Sequence, residues 1–496
     1  MRAAAAALLA LGLTAPALQA SPSPTANDEQ SFVSALGEAA GREDCPAIMT
    51  LLDGRFRRDD LARVPLPVLS QYVQLGWSCA QTLENDGHLG DWVARAVALG
   101  ARDRDLLYLH LKYSFEADHL EETLRTLALL RDSDPEGLNR ANLSWLARVD
   151  DRLKEKSLTN ERLTLLALIS AESFAPHETL GRADYFLRRF AMLLAEQGRK
   201  AEAGAIVARV RVPEVLIEFS FDPVMSALMP KDFDPRAATQ AYLEQARKAL
   251  RDNPDRLEAV IWVAQSHRAL GQPQEALATL MAARQRKGGL AAFVDAVTEL
   301  NWWWNELAYV HEALNQYDEQ ISAMQRGART QEDGGDNISQ LLNLAHAQLE
   351  AGRPADARET LKTFENDGLR VSDYGALVFR FNRGCAAHLM GETAIAEEDL
   401  AFTLENVTDE RWRMAYRNYL CRDRLDEAAA TLIAHLEDAT SRAEVLRRLA
   451  DYDPPPVPRP ESLSERWKRA MKARPDVLAA LRRYGGPHRI HLQEPD

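Results

Sequence analysis

One short pattern recurs along the chain from Gly198 onwards: a turn residue lies five positions before a small residue. It is clearest between Leu257 and Arg284, where two amphipathic helical segments meet at Gly271 and Ala276 follows. The turn residues of the pattern are Gly198, Gly271, Asn315, Gly352, Gly391 and Asp423, and only Asn315 is followed by a larger residue, Gln320. A helical unit that recurs at intervals of about 40 residues predicts a repeat architecture rather than unrelated domains.

Each unit carries small residues at one position on each of its two predicted helices. Helices approach closely only where side chains are small, because protein interiors are close-packed. The first helix has Ala264, Ala308, Ala345 and Gly384 at this position, and the second has Ala276, Ala357, Ala396 and Ala428. Pro135 and Pro254 each follow a second-helix pattern, which they end because proline cannot continue a helix.

This combination of turn, small residues and closing proline resembles the tetratricopeptide repeat (TPR), as found in exported bacterial-type TPR proteins. The resemblance covers roughly Asp184 to Glu437. It implies an all-α fold, a right-handed α-solenoid of stacked antiparallel helix pairs, and a concave groove that binds a protein or peptide. We divide the chain into six segments on this basis. They are a signal peptide (1–20), a flexible segment (21–30), an irregular helical-hairpin region (31–183), TPR-like repeats (184–452), a proline-rich linker (453–460) and a C-terminal helical cap and tail (461–496).

The first twenty residues have the pattern of a cleaved secretory signal. Arg2 is followed by an apolar stretch, Ala3–Leu13, and small residues lead to Ala20. The apolar stretch is shorter than the roughly 20 residues of a membrane span. We expect cleavage after Ala20 or after Ala17, no lipoprotein anchor, no transmembrane segment, and a periplasmic or secreted protein.

The four cysteines are consistent with an oxidising compartment. Four cysteines allow three pairings, and sequence proximity favours Cys45–Cys79 with Cys385–Cys421 over the other two. In the repeat register, Cys385 and Cys421 lie on the first helices of adjacent units. The alternative is that all four are buried thiols.

The charge balance and the motifs exclude several functions. The formal charge of −14 argues against nucleic acid as a general partner, because phosphate binding requires basic patches. There is no phosphate-binding glycine loop, no GxSxG serine and no CxxC pair. The histidines of His177-Glu178 and His311-Glu312 lack a second histidine four positions later for zinc. We therefore predict no enzyme activity, no catalytic residue, no cofactor and no metal site.

The groove residues are predicted from the repeat register. Trp304 takes the position where the family buries an aromatic side chain, whereas Trp302 lies on the groove side. Aromatic side chains are common anchors of interfaces. His267 and His311 are expected to pack against the second helix. The predicted partner-binding residues are Ile261, Gln265, Arg268, Trp302, Tyr309, Glu312, His346, Phe381, His388, Arg413 and Arg417.

These observations favour an exported scaffold that binds a protein or peptide partner, as an adaptor in cell-envelope assembly or secretion. The alternative is a carbohydrate-binding or polysaccharide-export accessory module, in which the aromatic groove residues would stack on sugars. The basic residues that follow the linker, among them Arg466 and Lys468, are expected to pack on the acidic repeats or to contact an anionic lipid or glycan. The sequence does not predict an oligomeric state.

Overall fold

The computed structural model describes residues 24–176, 184–331, 337–367, 371–408 and 411–494. The predicted signal peptide lies outside these ranges. The described residues are helical except for loops and one pair of two-residue strands, and they form two compact units, Met1–Phe186 and Leu187–Asp496. Within the described ranges, no helix combines the length and apolar character needed to cross a membrane. The predicted all-α fold is confirmed.

Unit 1 is built from helices that pack against their neighbours in sequence. Residues 24–30, which we expected to be flexible, belong to its first helix, because Pro24 opens a helix where proline is tolerated. A short 3-10 turn spans Asp59–Arg63. The helices are α1 (Pro24–Gly41), α2 (Cys45–Phe56), α3 (Leu66–Leu83), α4 (Leu89–Ala98), α5 (Arg104–Glu116), α6 (Leu120–Ser133), α7 (Pro135–Asn139), α8 (Leu143–Glu155) and α9 (Thr159–Ile169).

Unit 2 begins within α10 and contains the repeats. The interruption noted in the sequence near Pro213 forms two short helices, α12 and α13. The helices before the repeats are α10 (Asp184–Glu196), α11 (Lys200–Val207), α12 (Pro213–Phe221), α13 (Pro223–Ser226) and α14 (Pro235–Asp252). The five repeat pairs are α15/α16 (Leu257–Ala269, Pro273–Gln285), α17/α18 (Ala296–Ala313, Tyr317–Gly327), α19/α20 (Ile338–Glu350, Pro354–Asp367), α21/α22 (Asp373–Leu389, Thr393–Asn406) and α23/α24 (Arg413–Cys421, Leu425–Glu437).

The helices of each repeat pack against each other, and successive pairs stack, with α15 on α17, α19 on α21, and α21 on α23. Buried apolar residues of the first two pairs form a continuous core around Trp303, Leu307 and Met324. The chain ends with α25 (Arg442–Arg448), β1 (Asp451–Tyr452), α26 (Leu463–Ala473), α27 (Pro475–Arg483) and β2 (Arg489–Ile490). The two strands pair in parallel.

The turns inside the helix pairs share one geometry. Three residues separate the two helices, and the second of them has a positive φ; the residue after it donates its backbone N–H to the carbonyl oxygen five positions earlier. At Gly271, for example, the N–H of Gln272 donates to His267 at 2.9 Å. This bond satisfies a carbonyl at the helix end that would otherwise lack a partner. All six turn residues identified in the sequence have this conformation, and so do Glu43, Asp118 and Ser157 in unit 1.

The small residues of the repeats lie where the two helices meet. Ala264, Ala276, Ala308 and Ala345 are fully buried. Gly384 makes room for a buried arginine: a Cβ atom added there would clash with the guanidinium of Arg422 and lie 2.8 Å from the Cβ of Asp399. The predicted role of these positions in close helix contact is confirmed.

Two disulfides join neighbouring helices, and both have the pairing favoured from the sequence. Cys45 on α2 bonds Cys79 on α3, with their Cα atoms 5.0 Å apart. Cys385 on α21 bonds Cys421 on α23, with their Cα atoms 5.7 Å apart. The second bond therefore connects the first helices of the last two repeats.

The beginning and the end of unit 2 are in contact. Helix α12 packs against α25 beyond the last repeat. The ring of Phe221 lies edge-on to His488, with centroids 4.9 Å apart. The N–H of Gln493 donates to the carbonyl of Ala269 at 2.9 Å. The C-terminal segment thus returns from the last repeat to the first.

Candidate partner-binding groove

The first helices of the repeats carry the predicted groove residues, and the C-terminal segment of the chain lies against several of them. We call residues 454–474 the arm; it comprises the proline-rich stretch, α26 and Arg474. Its helix packs against α19, and the following helix, α27, packs against α24. We expected this region to form a cap or a tail. It packs on the repeats, as we also expected of its basic residues, and it does so along the predicted groove.

The extended part of the arm contacts the second repeat. The Nδ2 of Asn315 donates to the carbonyl of Pro458 at 3.2 Å. The guanidinium of Arg459 lies 3.9 Å from a carboxylate oxygen of Glu312 and 3.2 Å from Glu465 within the arm. Glu312 also accepts a hydrogen bond from Gln320 at 3.0 Å, which explains the larger residue at that repeat position.

The helical part of the arm begins on a carboxylate of the third repeat. Glu350 accepts hydrogen bonds from the backbone N–H of Ser464 at 2.9 Å and from its hydroxyl at 2.6 Å. Burial tends to raise the pKa of Glu350, but His346, these bonds and Arg417 together hold it below its usual value. A carboxylate at the N-terminus of a helix also interacts favourably with the helix dipole.

An aromatic pocket receives the one tryptophan of the arm. The indole of Trp467 lies edge-on to Phe381, with ring centroids 6.5 Å apart. The guanidinium of Arg417 also lies over the Phe381 ring, 4.3 Å from its centroid. Its Nη2 lies 2.9 Å from Nε2 of His346. Burial, with the Arg417 charge, lowers the pKa of His346 to about 4, so the ring is neutral at pH 7 and accepts this hydrogen bond.

Between the arm and the first two repeats lies a cavity of about 560 Å³. Its repeat side includes Arg268, Tyr309 and Glu312, and its other side includes Tyr452 and Lys468. Arg268 forms a bidentate ion pair with the buried Glu306, at 2.9 and 3.2 Å, and lies 5.2 Å from the Tyr309 ring centroid. Five basic and five acidic side chains line this cavity, so the net charge of its walls is close to zero.

The three consecutive tryptophans differ from the sequence prediction. Trp303 is the fully buried ring (0% exposed), whereas Trp304 keeps partial exposure and lies between the guanidinium groups of Arg284 and Arg326, which belong to second helices. Trp304 still packs against the core, as predicted, but the fully enclosed ring is that of Trp303. Trp302 is 44% exposed.

Other predicted groove residues are not gathered at the arm. Ile261 is 4% exposed and belongs to the core. Arg413 pairs with Glu444 of α25 at 2.5 Å. Gln265 and His388 are partly buried on their first helices.

The histidines predicted to pack within their repeats do so in the same way. Nδ1 of His267 lies 2.7 Å from Oε1 of Gln272, and Nδ1 of His311 lies 2.7 Å from Oε1 of Gln316. Each pair joins the first helix to the turn that follows it.

Sequence reasoning missed Glu350 and Asn315 as contact residues. Asn315 was recognised only as a turn residue, and Glu350 is the last residue of its helix, in a chain with 74 acidic residues. The spacing of Glu350 four residues after His346 is the one local signal, because this places both side chains on one helix face. Among the described residues, no group of three or more potential ligands is placed to hold a metal ion.

Comparisons with known proteins give structural neighbours only. No protein-family model and no curated protein matches the chain. Similar solved structures include the APC/C hetero-tetramer Cut9-Hcn1, with 13% identity over 92% of this chain and 89% of that chain and a TM-score of 0.30. Naa15/Naa10 bound to HypK-THB matches at 11% identity over 82% of this chain and 68% of that chain, with a TM-score of 0.22. A circular tandem repeat protein with novel repeat topology matches at 12% identity over 98% of this chain and 100% of that chain, with a TM-score of 0.14. Such low TM-scores carry no functional argument, and the solenoid assignment rests on the helix pairs themselves.

Proposed function

We propose that this protein is a repeat scaffold that binds a protein or peptide partner in the groove formed by the first helices of its repeats. The observation that carries the proposal is that this groove already holds a polypeptide, the arm. The groove supplies a carboxylate for an incoming helix, an aromatic pocket for an indole and a second carboxylate for an arginine. These are the elements by which helices and extended peptides are recognised.

We further propose that the protein acts outside the cytoplasm, as an adaptor in cell-envelope assembly or secretion. The two disulfides support this location, because such bonds persist in oxidising compartments and are rare in reducing ones. The signal-like N-terminal sequence supports the same location.

The experiment that tests the partner is site-specific photo-crosslinking in the native cell. A photo-reactive residue at position 309, on the groove side, should capture one recurrent protein. The same residue at position 362, which is Lys362 on the second helix α20, is the matched control and should not capture it. Equal capture from both positions, or none from position 309, would contradict the proposal.

The captured protein should then be purified and its binding measured. Replacing Glu312 by Gln removes a charged contact of the groove and should weaken binding by about tenfold. Unchanged affinity would place the partner on another surface of the repeats.

Carbohydrate binding is a second candidate, and the cavity beneath the arm favours it. Its volume of about 560 Å³ is in the range of small-ligand sites, and the rings of Tyr309 and Tyr452 line it together with many hydrogen-bonding groups. In affinity electrophoresis through polysaccharide gels, the protein should be retarded. Loss of this retardation in Tyr452→Ala, but not in Trp302→Ala, would support this candidate. Equal mobility with and without polysaccharide would remove it.

A further inference from the structure

The arm has the features of a bound ligand that is part of the same chain. It carries six basic and two acidic residues, a formal charge of +4 against −14 for the whole chain. Its contacts with the repeats are discrete: Asn315 holds its backbone, Glu350 holds Ser464, and Phe381 holds Trp467. Each of these residues of the repeats is more than 80 positions away in sequence, so the contacts depend on docking rather than on local folding.

The surface between the arm and the repeats is incompletely packed. Protein cores have few voids larger than a water molecule. Here a cavity of about 560 Å³ lies between the arm and the repeats, and Arg268, Tyr309 and Glu312 line its repeat side. Charged walls and incomplete packing are characteristic of interfaces that form between separately folded parts. The arm therefore packs on the repeats as a partner would, with Leu463, Trp467 and Met471 as its buried anchors.

The arm also has stabilising contacts within itself that do not involve the repeats. Ser462 and Glu465 form a reciprocal capping box at the start of α26, with hydrogen bonds of 3.2 and 2.7 Å. Arg469 pairs with Glu461 at 2.7 Å inside the arm. These contacts would move with the arm if it separated from the groove. On either side the chain remains attached, through the pairing of β1 with β2 and through α27 on α24.

The remaining links between the arm and its surroundings are mainly ion pairs. Lys468 contacts both carboxylate oxygens of Glu494 at 2.9 Å, and Lys472 pairs with Asp451. Arg474 contacts Asp426 at 2.8 Å. Solvent reaches the carboxylates of these pairs, and such ion pairs contribute little to stability. Opening of the arm therefore depends mainly on undocking Leu463, Trp467 and Met471.

We infer that the groove surface under the arm, formed by Glu312, Asn315, His346, Glu350, Phe381 and Arg417, is the docking site of a partner with the arm's own chemistry, and that the arm covers it until the partner displaces it. The partner segment is a basic amphipathic helix with one large aromatic anchor, preceded by an extended stretch that carries an arginine. A tethered segment competes at a high effective concentration. A partner that binds this surface weakly therefore cannot displace the arm. This inference rests on the proposed function.

The test is a displacement experiment with the full chain. The probe is a fluorescent synthetic peptide with the sequence of residues 454–474, and its binding is followed by anisotropy. Trp467→Ala removes the anchor of the tethered arm and should bind the peptide at least ten times more tightly than the unmodified chain. Trp302→Ala removes an indole outside the arm contacts and is the matched control, which should bind like the unmodified chain. Glu350→Gln, added to Trp467→Ala, should remove the gain.

A milder variant, Ser464→Ala, separates displacement from misfolding. It removes only the hydroxyl bond to Glu350 and should also increase peptide binding, with unchanged circular dichroism. In the unmodified chain, amide hydrogens of α26 should exchange faster than those of α27 and α24, because the arm opens locally. Folded variants that bind the peptide no better than the unmodified chain, or protection of α26 equal to that of α24, would overturn the inference and make the arm a fixed part of the fold.

Two further results separate the inference from the proposed function. If the arm never opens but position 309 still captures a protein, the proposed function stands and the displacement inference fails. A dimer of the unmodified chain that the peptide dissociates would assign the surface to a second copy of the chain and overturn the partner chemistry.

Discussion

The pair of Gly384 and Arg422 shows how single residues set the spacing of the repeats. Arg422 is buried and donates to the carbonyl of Ala396 at 2.6 Å and to the carbonyl and side-chain oxygens of Asn418 at 3.1 and 2.8 Å. Its guanidinium occupies the space that a side chain at position 384 would need. Arg422 can therefore make these hydrogen bonds only because residue 384 has no side chain.

Gly384→Ala should lower the free energy of unfolding by about 1–3 kcal/mol, because the new methyl group displaces a buried, hydrogen-bonded guanidinium. Gly204→Ala in α11 is the matched control. An added Cβ there meets only Leu228 at 3.9 Å, so the helix should be stabilised by about 0.5–1 kcal/mol. Urea denaturation measures both variants. Equal effects of the two substitutions would show that Gly384 is not needed for space.

His346 makes the stability of unit 2 depend on pH. Its pKa is about 4 in the folded protein, against a reference value of 6.5, mainly through burial and also through Arg417 at 2.9 Å; Glu350 lies 3.6 Å away. The unfolded chain therefore binds a proton that the folded protein does not, and stability falls as the pH falls from 6.5 towards 4.

We expect a loss of about 1–2 kcal/mol between pH 6.5 and 4.5. Two pKa units correspond to about 2.7 kcal/mol, and partial exposure of the ring reduces the effect through solvent screening. Unfolding at a series of pH values should show a flatter profile for His346→Gln, which still accepts a hydrogen bond but does not titrate. If stability depended on pH equally in the unmodified protein and in His346→Gln, His346 would not be held neutral in the folded protein.

At the scale of elements, the same three-residue turn joins nine helix pairs in the described chain, three of them in unit 1. The glycine turns were predictable because glycine is the usual residue at a positive φ. Glu43, Asp118 and Ser157 adopt this conformation without that sequence signal, so the hairpins of unit 1 looked irregular in the sequence. In these turns, the backbone hydrogen bond that closes the turn and the packing of the two helices against each other impose the positive φ.

These turns allow a paired test. Ser157 has a φ of 58° and is exposed, so Ser157→Gly should stabilise the protein by about 1 kcal/mol. Gly198 has a φ of 74° with no atom within 4 Å of an added Cβ, so Gly198→Ala should destabilise it by about the same amount, through backbone strain alone. Chemical denaturation compares the two variants. Effects of the same sign would contradict a shared turn geometry.

At the scale of the molecule, the sequence predicted the helix pairs and the disulfides, because both follow from local spacing. It did not predict the position of the arm. Ser464 meets Glu350 across 114 residues, and nothing in either local sequence specifies that contact. The sequence also did not predict which tryptophan ring is fully enclosed. Trp303 and Trp304 are adjacent and both pack at the core, and only the packing of α17 determines that Trp303 is the enclosed one.

The disulfide between the last two repeats should stabilise unit 2 as a whole. Replacing Cys385 and Cys421 by serine opens a loop of 36 residues, and the chain-entropy model gives a loss of about 4 kcal/mol. Thermal unfolding of the double variant should resemble that of the reduced protein, apart from the contribution of Cys45–Cys79. An unchanged unfolding temperature would show that the contacts of α21 with α23 already hold these repeats in place.

The contact of α12 with α25 has a consequence for how unit 2 comes apart and how its length can change. An open array of repeats frays from its two ends, because each terminal repeat has only one neighbour. Here the helices that flank the five repeats, α12 before them and α25 after them, are neighbours of each other, so the repeats cannot unravel from either side without breaking that contact as well. Duplication or loss of one repeat, which lengthens or shortens an open array freely, would separate α12 from α25. The number of repeats in this unit is therefore constrained by the closure itself.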